Sequence, residues 1–403
     1  MEKNWVETWG MSHAALSLMS FLSRKRTLRL VVSSAISGER VRVRLSNKHS
    51  GSAVTISRAS VALCDENGAV GEGFRPITFG GGEGLTLPAG GMIISDETAL
   101  AVPARAYLCV NLYIKKGRLK SGNYQNTARL LCARGDRCGE PAMCHQKRPR
   151  DYAIALAGKM LGITLHSPIP LFQAVELQNG DGASSIECFG DSLTQQGFWS
   201  SRFEEKIRWL YPGRYAVINK AIAGNRVLRD TSGRFPLRGF FGVKALERVH
   251  DDILAFEGIS HVVFCHGTND YFQPGTLAGR RSEYASPQEI AAGVSALAEI
   301  IRAHGVTLIG LNYMPTGLSG DATPEKNILR MRLNEWFETC DVFDYKFDAC
   351  GAFASPENPD LPVASYVGGD RLHPNEAGGL AFAETIDCGL FDAMRSRSAI
   401  EVH

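Results

Sequence analysis

The sequence predicts a two-domain chain: a β-sandwich of jelly-roll type, followed by a three-layer α/β domain built on a parallel sheet. Three observations carry this. The 403 residues accommodate two or three domains at roughly 150 residues each. The hydrophobic rhythm changes near Ser184, from short alternating runs to strands that alternate with amphipathic helices. A turn-rich stretch, Asn179-Gly180-Asp181-Gly182, lies at that change. The domains are therefore placed at residues 1–180 and 181–403.

In the first domain, Glu39-Arg40-Val41-Arg42-Val43-Arg44-Leu45-Ser46 alternates most cleanly. A pleated strand puts Val41, Val43 and Leu45 on one face and Arg40, Arg42 and Arg44 on the other, as in a half-buried antiparallel strand. Residues 28–35, 53–63, 92–95, 106–114 and 171–177 read as further strands, with Gly80-Gly81-Gly82 and Ala89-Gly90-Gly91 as turns. Many short strands with few helical stretches suggest a sandwich. In the second domain, residues 185–189, 215–219, 261–265 and 307–312 read as strands. Helices are expected at 198–210, 243–256, 287–304, 324–339 and 376–391, the last primed by Pro374.

Composition narrows the function. There are 44 Lys plus Arg against 42 Asp plus Glu, a net charge of +2, so no long-range field draws the chain to nucleic acid or an anionic membrane. The expected partner is a small or neutral molecule. Hydrophobic residues at 44% and charged residues at 21% exclude a disordered chain. No run approaches 18 uncharged apolar residues, so no membrane helix is expected. The short apolar run at residues 14–22 is followed, not preceded, by Arg24-Lys25-Arg26 and lacks a cleavage site, so no signal peptide is read. The ten cysteines sit mostly inside apolar runs, as Cys64, Cys109 and Cys265 do, which suggests buried reduced thiols and a cytoplasmic setting.

Reactive groups in an open parallel sheet collect just past the carboxyl ends of its strands. Four such places are informative. Gly190-Asp191-Ser192-Leu193 puts a hydroxyl at a strand-to-helix turn, where Ser192 is a nucleophile or a plain N-cap. Ala223-Gly224-Asn225 offers a backbone N–H with no side chain in the way, or an ordinary turn. Gly267-Thr268-Asn269-Asp270 offers a neutral carboxamide for an oxyanion, or a turn and a cap. Asp370-Arg371-Leu372-His373 has the spacing for a carboxylate to orient an imidazole, or holds a cap beside a surface histidine. Each has a bland reading alone; the four in this order do not.

Together these segments resemble the four blocks of the SGNH/GDSL hydrolase family, over residues 184–395. The resemblance implies a flavodoxin-like sheet and a cofactor-free serine esterase. Ser192 would be the nucleophile, His373 the base and Asp370 its partner, with the oxyanion held by Ser192, Gly224 and Asn269. Asp191, Asn225, Asp270 and Arg371 are expected to touch substrate. Arg371 departs from the glycine that many relatives carry there. Trp5-x-x-x-Trp9 and Val41-Arg42-Val43-Arg44-Leu45-Ser46-Asn47 resemble the β-domain of a two-domain subgroup that includes acetylxylan and other carbohydrate esterases.

The expected reaction is therefore hydrolysis of short acyl, chiefly acetyl, esters on sugars, the oligosaccharide ester being the partner. A lipase, thioesterase or acyl transferase on the same triad is the enzymatic alternative. A carbohydrate-binding protein with an inactive hydrolase domain is the alternative of another class. The β-domain would bind glycan, cover the catalytic domain or make a homodimer. Cys132, Cys138, Cys144 and His145 are spaced too widely for a zinc knuckle, so no metal is expected. Lys147-Arg148-Pro149-Arg150 reads as a solvated loop. His266 reads as a core imidazole without a role. The segment 271–286 is a specificity loop or a long connection.

Overall fold

A computed structural model of the protein describes residues 4–16, 21–146, 167–232 and 239–393. The basic run 147–150 lies outside the described residues. The chain divides into two compact units. One holds the described residues up to 185 together with Tyr211–Ile218; the other holds Ile186–Leu210 and the described residues from 219 onward.

The first unit is a β-sandwich. Its strands are β1 (Asn4–Gly10), β2 (Ala14–Ala15), β3 (Phe21–Ser33), β4 (Gly38–Ser46), β5 (Val54–Cys64), β6 (Arg75–Ile77), β7 (Leu85–Leu87), β8 (Met92–Ile94), β9 (Thr98–Val102), β10 (Tyr107–Leu119), β11 (Ser121–Tyr124), β12 (Arg129–Arg134), β13 (Pro168–Pro170) and β14 (Phe172–Asn179). One sheet runs β1-β14-β4-β8 with β9 also on β4, and a second runs β12-β3-β10-β5-β6 with β7 also on β5. A small third sheet runs β13-β11-β2. The strands of these sheets pair antiparallel.

The core lies where the two large sheets face each other. Val41, Val43 and Leu45 of β4 join Leu28, Leu30 and Val32 of β3 and Leu108, Val110 and Leu112 of β10 in one buried cluster. Full burial of each such side chain contributes about 1.5–3 kcal/mol. β3 begins well before the predicted residue 28, although Arg24-Lys25-Arg26 carries no apolar alternation. The reason is tertiary: the end of β10 supplies a ladder partner for every position back to Phe21 except Lys25.

β4 departs from the half-buried strand the sequence predicts. Val41, Val43 and Leu45 do face the core, and Arg40 is exposed and paired with Glu97. Arg42 and Arg44, however, close from two sides on Glu176 of β14, whose carboxylate is fully buried. Each guanidinium makes a two-pronged contact, at 3.0 and 3.0 Å for Arg42 and at 2.7 and 3.2 Å for Arg44. Arg42 also lies 4.4 Å over the ring of Trp5. An alternation of Val and Arg encodes the pleat, but it does not say that the charged face meets a countercharge rather than water.

A parallel sheet is formed by β15 (Ser184–Gly190), β16 (Tyr215–Asn219), β17 (Ile259–Cys265), β18 (Thr307–Leu311) and β19 (Tyr345–Phe347), in the order β16-β15-β17-β18-β19; the second unit holds all of it but the start of β15 and most of β16. That 2-1-3-4-5 order is flavodoxin-like, with a switch point beside β15. The helices are α1 (Ser192–Gln195), α2 (Phe198–Leu210), α3 (Ala245–Val249), α4 (Thr268–Phe272), α5 (Pro287–Arg302), α6 (Pro324–Thr339), α7 (Ala349–Phe353) and α8 (Glu376–Glu384).

Local chemistry sets the long helices. α5 starts at a Ser286/Glu289 capping box with Pro287 in its first turn, and α6 starts at Thr323 with Pro324 in its first turn, both matching the predicted starts. Two helices differ from expectation. The predicted helix 243–256 is α-helical only over Ala245–Val249 and continues as a π-helical turn, His250–Leu254. The predicted helix 376–391 stops at Glu384, after which Asp387 caps a short 3-10 turn. Among the described residues no helix is long and apolar enough to cross a membrane.

Candidate active site

Strand β15 ends at Gly190, where space decides the residue: a Cβ would lie 2.5 Å from the Cys265 carbonyl oxygen. Asp191 then caps α1, its Oδ1 accepting the Leu193 N–H at 3.1 Å. The N-cap is thus Asp191, and the Ser192 hydroxyl is left for another partner. That partner is His373, whose Nε2 lies 2.7 Å from Ser192 Oγ. The other ring nitrogen, Nδ1, lies 2.5 Å from Asp370 Oδ2. A carboxylate only accepts, so Nδ1 carries the proton and Nε2 accepts from the serine hydroxyl.

A tight turn brings Asp370 and His373 to the serine. Val367 and Pro374 pair as an antiparallel bridge, with the Gly368 N–H donating to the His373 carbonyl at 2.8 Å. Asp370 Oδ1 accepts the N–H groups of Leu372 and His373. Burial pushes the Asp370 carboxyl up, but the His373 hydrogen bond and charge and these two N–H groups outweigh it and hold it below its ordinary value. Arg371 has φ +58°, the left-handed region where glycine is unstrained. Backbone conformation therefore accounts for the glycine expected at this position, and the arginine here is accommodated by an exposed turn.

Gly224 follows β16 at φ +70°, and a Cβ there would lie 2.4 Å from the Phe241 ring. Only glycine fits, for both reasons. Among the described residues the backbone N–H groups of Ser192 and Gly224 have no acceptor. Asn269, in α4, is buried, and its Nδ2 donates to Asp191 Oδ2 at 3.0 Å and to the Asn225 carbonyl at 3.1 Å. Its Oδ1 accepts from Gln273 Nε2 at 3.1 Å, and the same Nε2 donates to the Gly224 carbonyl at 2.7 Å. Gln273 thus clamps the Gly224 and Asn269 segments together.

Three of the four expected substrate contacts are corrected by burial. Asp191 is 1% exposed, with its oxygens on Leu193 and Asn269. Asn225 donates to the carbonyls of Phe241 and Val243 and accepts from Arg248 and His266. Asp270 accepts the N–H groups of Val227 at 2.7 Å and Leu228 at 2.9 Å. All three hold loops in place; Arg371 alone of the four is exposed. Burial drives the Asp191 carboxyl up to about 7, against the pull of the Leu193 N–H and the His373 and Arg248 charges. It raises Asp270 to about 6.

The sequence reading missed Arg248, Gln273, Phe241 and Arg226. Buried Arg248 donates to Asn225 Oδ1, to the carbonyls of Lys220 and Gly190, and to Asp252. It thereby ties the ends of β15 and β16 together, from a helix whose charge pattern gave no hint of this. Gln273 was findable, being four positions beyond Asn269 and so on the same helix face. His266 is buried as expected. Its Nδ1 accepts the Gly267 N–H and its Nε2 donates to Asn225, while burial and Arg248 hold its pKa well below the ordinary value. The segment 271–286 is pinned by Arg226, which donates to Gln273 Oε1 at 2.8 Å and Glu283 Oε2 at 2.7 Å. Among the described residues no three His, Cys, Asp or Glu side chains are grouped to hold a metal.

A serine hydroxyl, a tautomer-fixed histidine and vacant backbone donors, at the carboxyl edge of a flavodoxin-like sheet, belong to the serine esterases of SGNH type. More specifically, residues 188–379 match the GDSL-like lipase/acylhydrolase family, so this part of the chain is a GDSL acylhydrolase domain. No curated protein matches the chain. Similar solved structures include a GDSL-like lipase of Bacteroides thetaiotaomicron, 17% identical, covering 52% of this chain and 89% of that one at TM-score 0.37. The acetylxylan esterase Axe2 of Geobacillus stearothermophilus is 18% identical, covering 52% and 95% at TM-score 0.38. LAE5, a hydrolase from the metagenome of Lake Arreo, is 18% identical, covering 53% and 95% at TM-score 0.38.

Proposed function

We propose that the protein removes short acyl groups, chiefly acetyl, from carbohydrate hydroxyls through an acyl-Ser192 intermediate. The observation that carries the chemistry is the unbroken chain from Asp370 through His373 to the Ser192 hydroxyl. As Ser192 Oγ bonds to the ester carbonyl carbon, its proton passes to His373 Nε2, and Asp370 supports the imidazolium. The carbonyl oxygen becomes an oxyanion, held by the N–H groups of Ser192 and Gly224 with Asn269 beside them. When the tetrahedral centre collapses, the bond to the alcohol oxygen breaks and Nε2 returns its proton to that oxygen. Water then gives a proton to Nε2 as it attacks the acyl carbon, the bond to Oγ breaks, and the proton returns to Ser192.

The preference for a short acyl group rests on two points. The likeness of the β-domain to that of carbohydrate esterases points to a sugar alcohol. The Phe241 ring, packed on Gly224, limits room beside the oxyanion donors. The test is hydrolysis of p-nitrophenyl esters from acetate to palmitate, run beside Ser192→Ala. Expected is a rate falling steeply beyond butyrate and absent in the variant. A maximum on long chains makes the protein a lipase, and Ser192-independent hydrolysis removes the proposed nucleophile.

A further inference from the structure

At the carboxyl edge of the sheet a cavity of about 760 Å³ lies between the segment that follows β17 and the loop and helix that follow β18. No triad residue lines it. The strands are parallel, so it opens at the edge where Ser192, Gly224 and Asn269 stand, one strand further along. One wall is the segment pinned by Arg226. Through Gln273, that segment is bonded to the Gly224 carbonyl and the Asn269 side chain.

The charges of its lining are unbalanced. Lys326 is 3% exposed. Its ammonium donates to the Asp321 carbonyl at 2.8 Å and lies 4.8 Å from the Phe272 ring centre. Among the described residues no carboxylate makes a direct ion pair with it. Only the Asp321 carboxylate offsets its charge, without a direct ion pair, and a buried ammonium so placed favours an anion beside it. Arg281 and Arg332 also line the cavity; both are exposed, and neither guanidinium has a partner among the described residues. Against these three cations stand two carboxylates. That of Glu325 is turned to its own N–H and the Thr323 hydroxyl; that of Asp321 is exposed. The positive end of α6 borders the same space.

We propose that this cavity binds an anionic group, a carboxylate, sulfate or phosphate carried by the alcohol part of the ester, with Lys326, Arg281 and Arg332 as its countercharges. The inference rests on the esterase reading for the molecule that carries the anion, but not for anion binding itself. The ester is thereby selected at two points on one edge of the sheet, its acyl carbon at Ser192 and its charge at the cavity.

Two arms test this on the full chain. In the first, the Ser192→Ala protein is titrated calorimetrically with glucuronate, glucose 6-phosphate, glucose 6-sulfate and glucose. Expected is binding of at least one charged sugar about tenfold or more tighter than glucose, weakening with salt, and reduced about tenfold by Arg281→Glu with Arg332→Glu. The charged sugar that binds best identifies the group. In the second, kcat/KM is compared for acetylated methyl glucoside and its charged counterpart, and the double variant is expected to lower the charged-to-neutral ratio. Equal affinity for charged and neutral sugars, or indifference to the double charge reversal, overturns the inference. Charge-sensitive binding without esterase activity leaves the inference standing and removes the esterase reading; ester hydrolysis without anion binding does the reverse.

Discussion

Asn269 carries two demands on one carboxamide. An oxyanion donor must have an N–H to give, yet both Nδ2 hydrogens already point to protein acceptors, Asp191 Oδ2 and the Asn225 carbonyl. The amide is therefore held in one orientation, and on the proposed mechanism donation to an oxyanion would require sharing one of these bonds. Removing it should cost kcat about a hundred- to a thousandfold, as loss of such a donor typically does. Steady-state kinetics of Asn269→Ala on p-nitrophenyl acetate checks this; an unchanged kcat would make Asn269 only a strut for Asp191. Ser192, His373 and Asp370 were legible because the reaction needs those groups in that order. Asp191, Asn225 and Asp270 were misread, because a polar residue beside a reacting one can face the ligand or the loop behind it. Only burial separates the two.

At the scale of elements, the Val-Arg alternation of β4 shows what a pattern can and cannot say. It fixed the strand and the inward face. It left open that Arg42 and Arg44 share the buried Glu176 of a strand more than a hundred residues away. Neutralising that carboxylate removes the acceptor that both largely buried guanidiniums share, and removal of one partner from a buried ion cluster destabilises by about 3–5 kcal/mol. Urea unfolding of Glu176→Gln should show a loss of that order, and a variant within 0.5 kcal/mol of the parent, roughly the scatter of surface changes, would make the cluster neutral. The broken helix at 245–254 teaches the same lesson. Apolar spacing marked a helix, but the switch to a π-helical turn at His250, two residues after Arg248, follows no signal in that spacing. Such turns recur at functional sites, and this one follows the arginine that ties β15 to β16.

For the molecule as a whole, the site sets a pH dependence of stability. Asp191 at about 7 and Asp270 at about 6 are raised from their ordinary value of 3.8 by burial. Between about pH 4 and pH 7 the folded state thus binds more protons than the unfolded one, and stability falls as pH rises through that window. Asp370 acts oppositely. Its lowered pKa stabilises the fold above the ordinary carboxyl range, and this is lost as pH falls below it. In melting curves recorded from about pH 4 to 8, Asp191→Asn should gain on the parent by several degrees as pH rises. A difference that does not change with pH would mean that Asp191 is ionised throughout.

By itself the sequence determined the two periodicities, the strand and helix order, and the residue types that an acyl transfer through serine requires. These are local: pleat, helical repeat and capping act within a few residues, and the motif residues sit at the ends of such elements. Tertiary structure alone decided which polar groups are buried and what they meet. Glu176 between two arginines, Asn269 against Asp191, the Phe241 ring on Gly224 and Lys326 over the Phe272 ring all depend on partners distant in sequence. The free energy of a charge or an N–H is set by those partners and by the water they exclude.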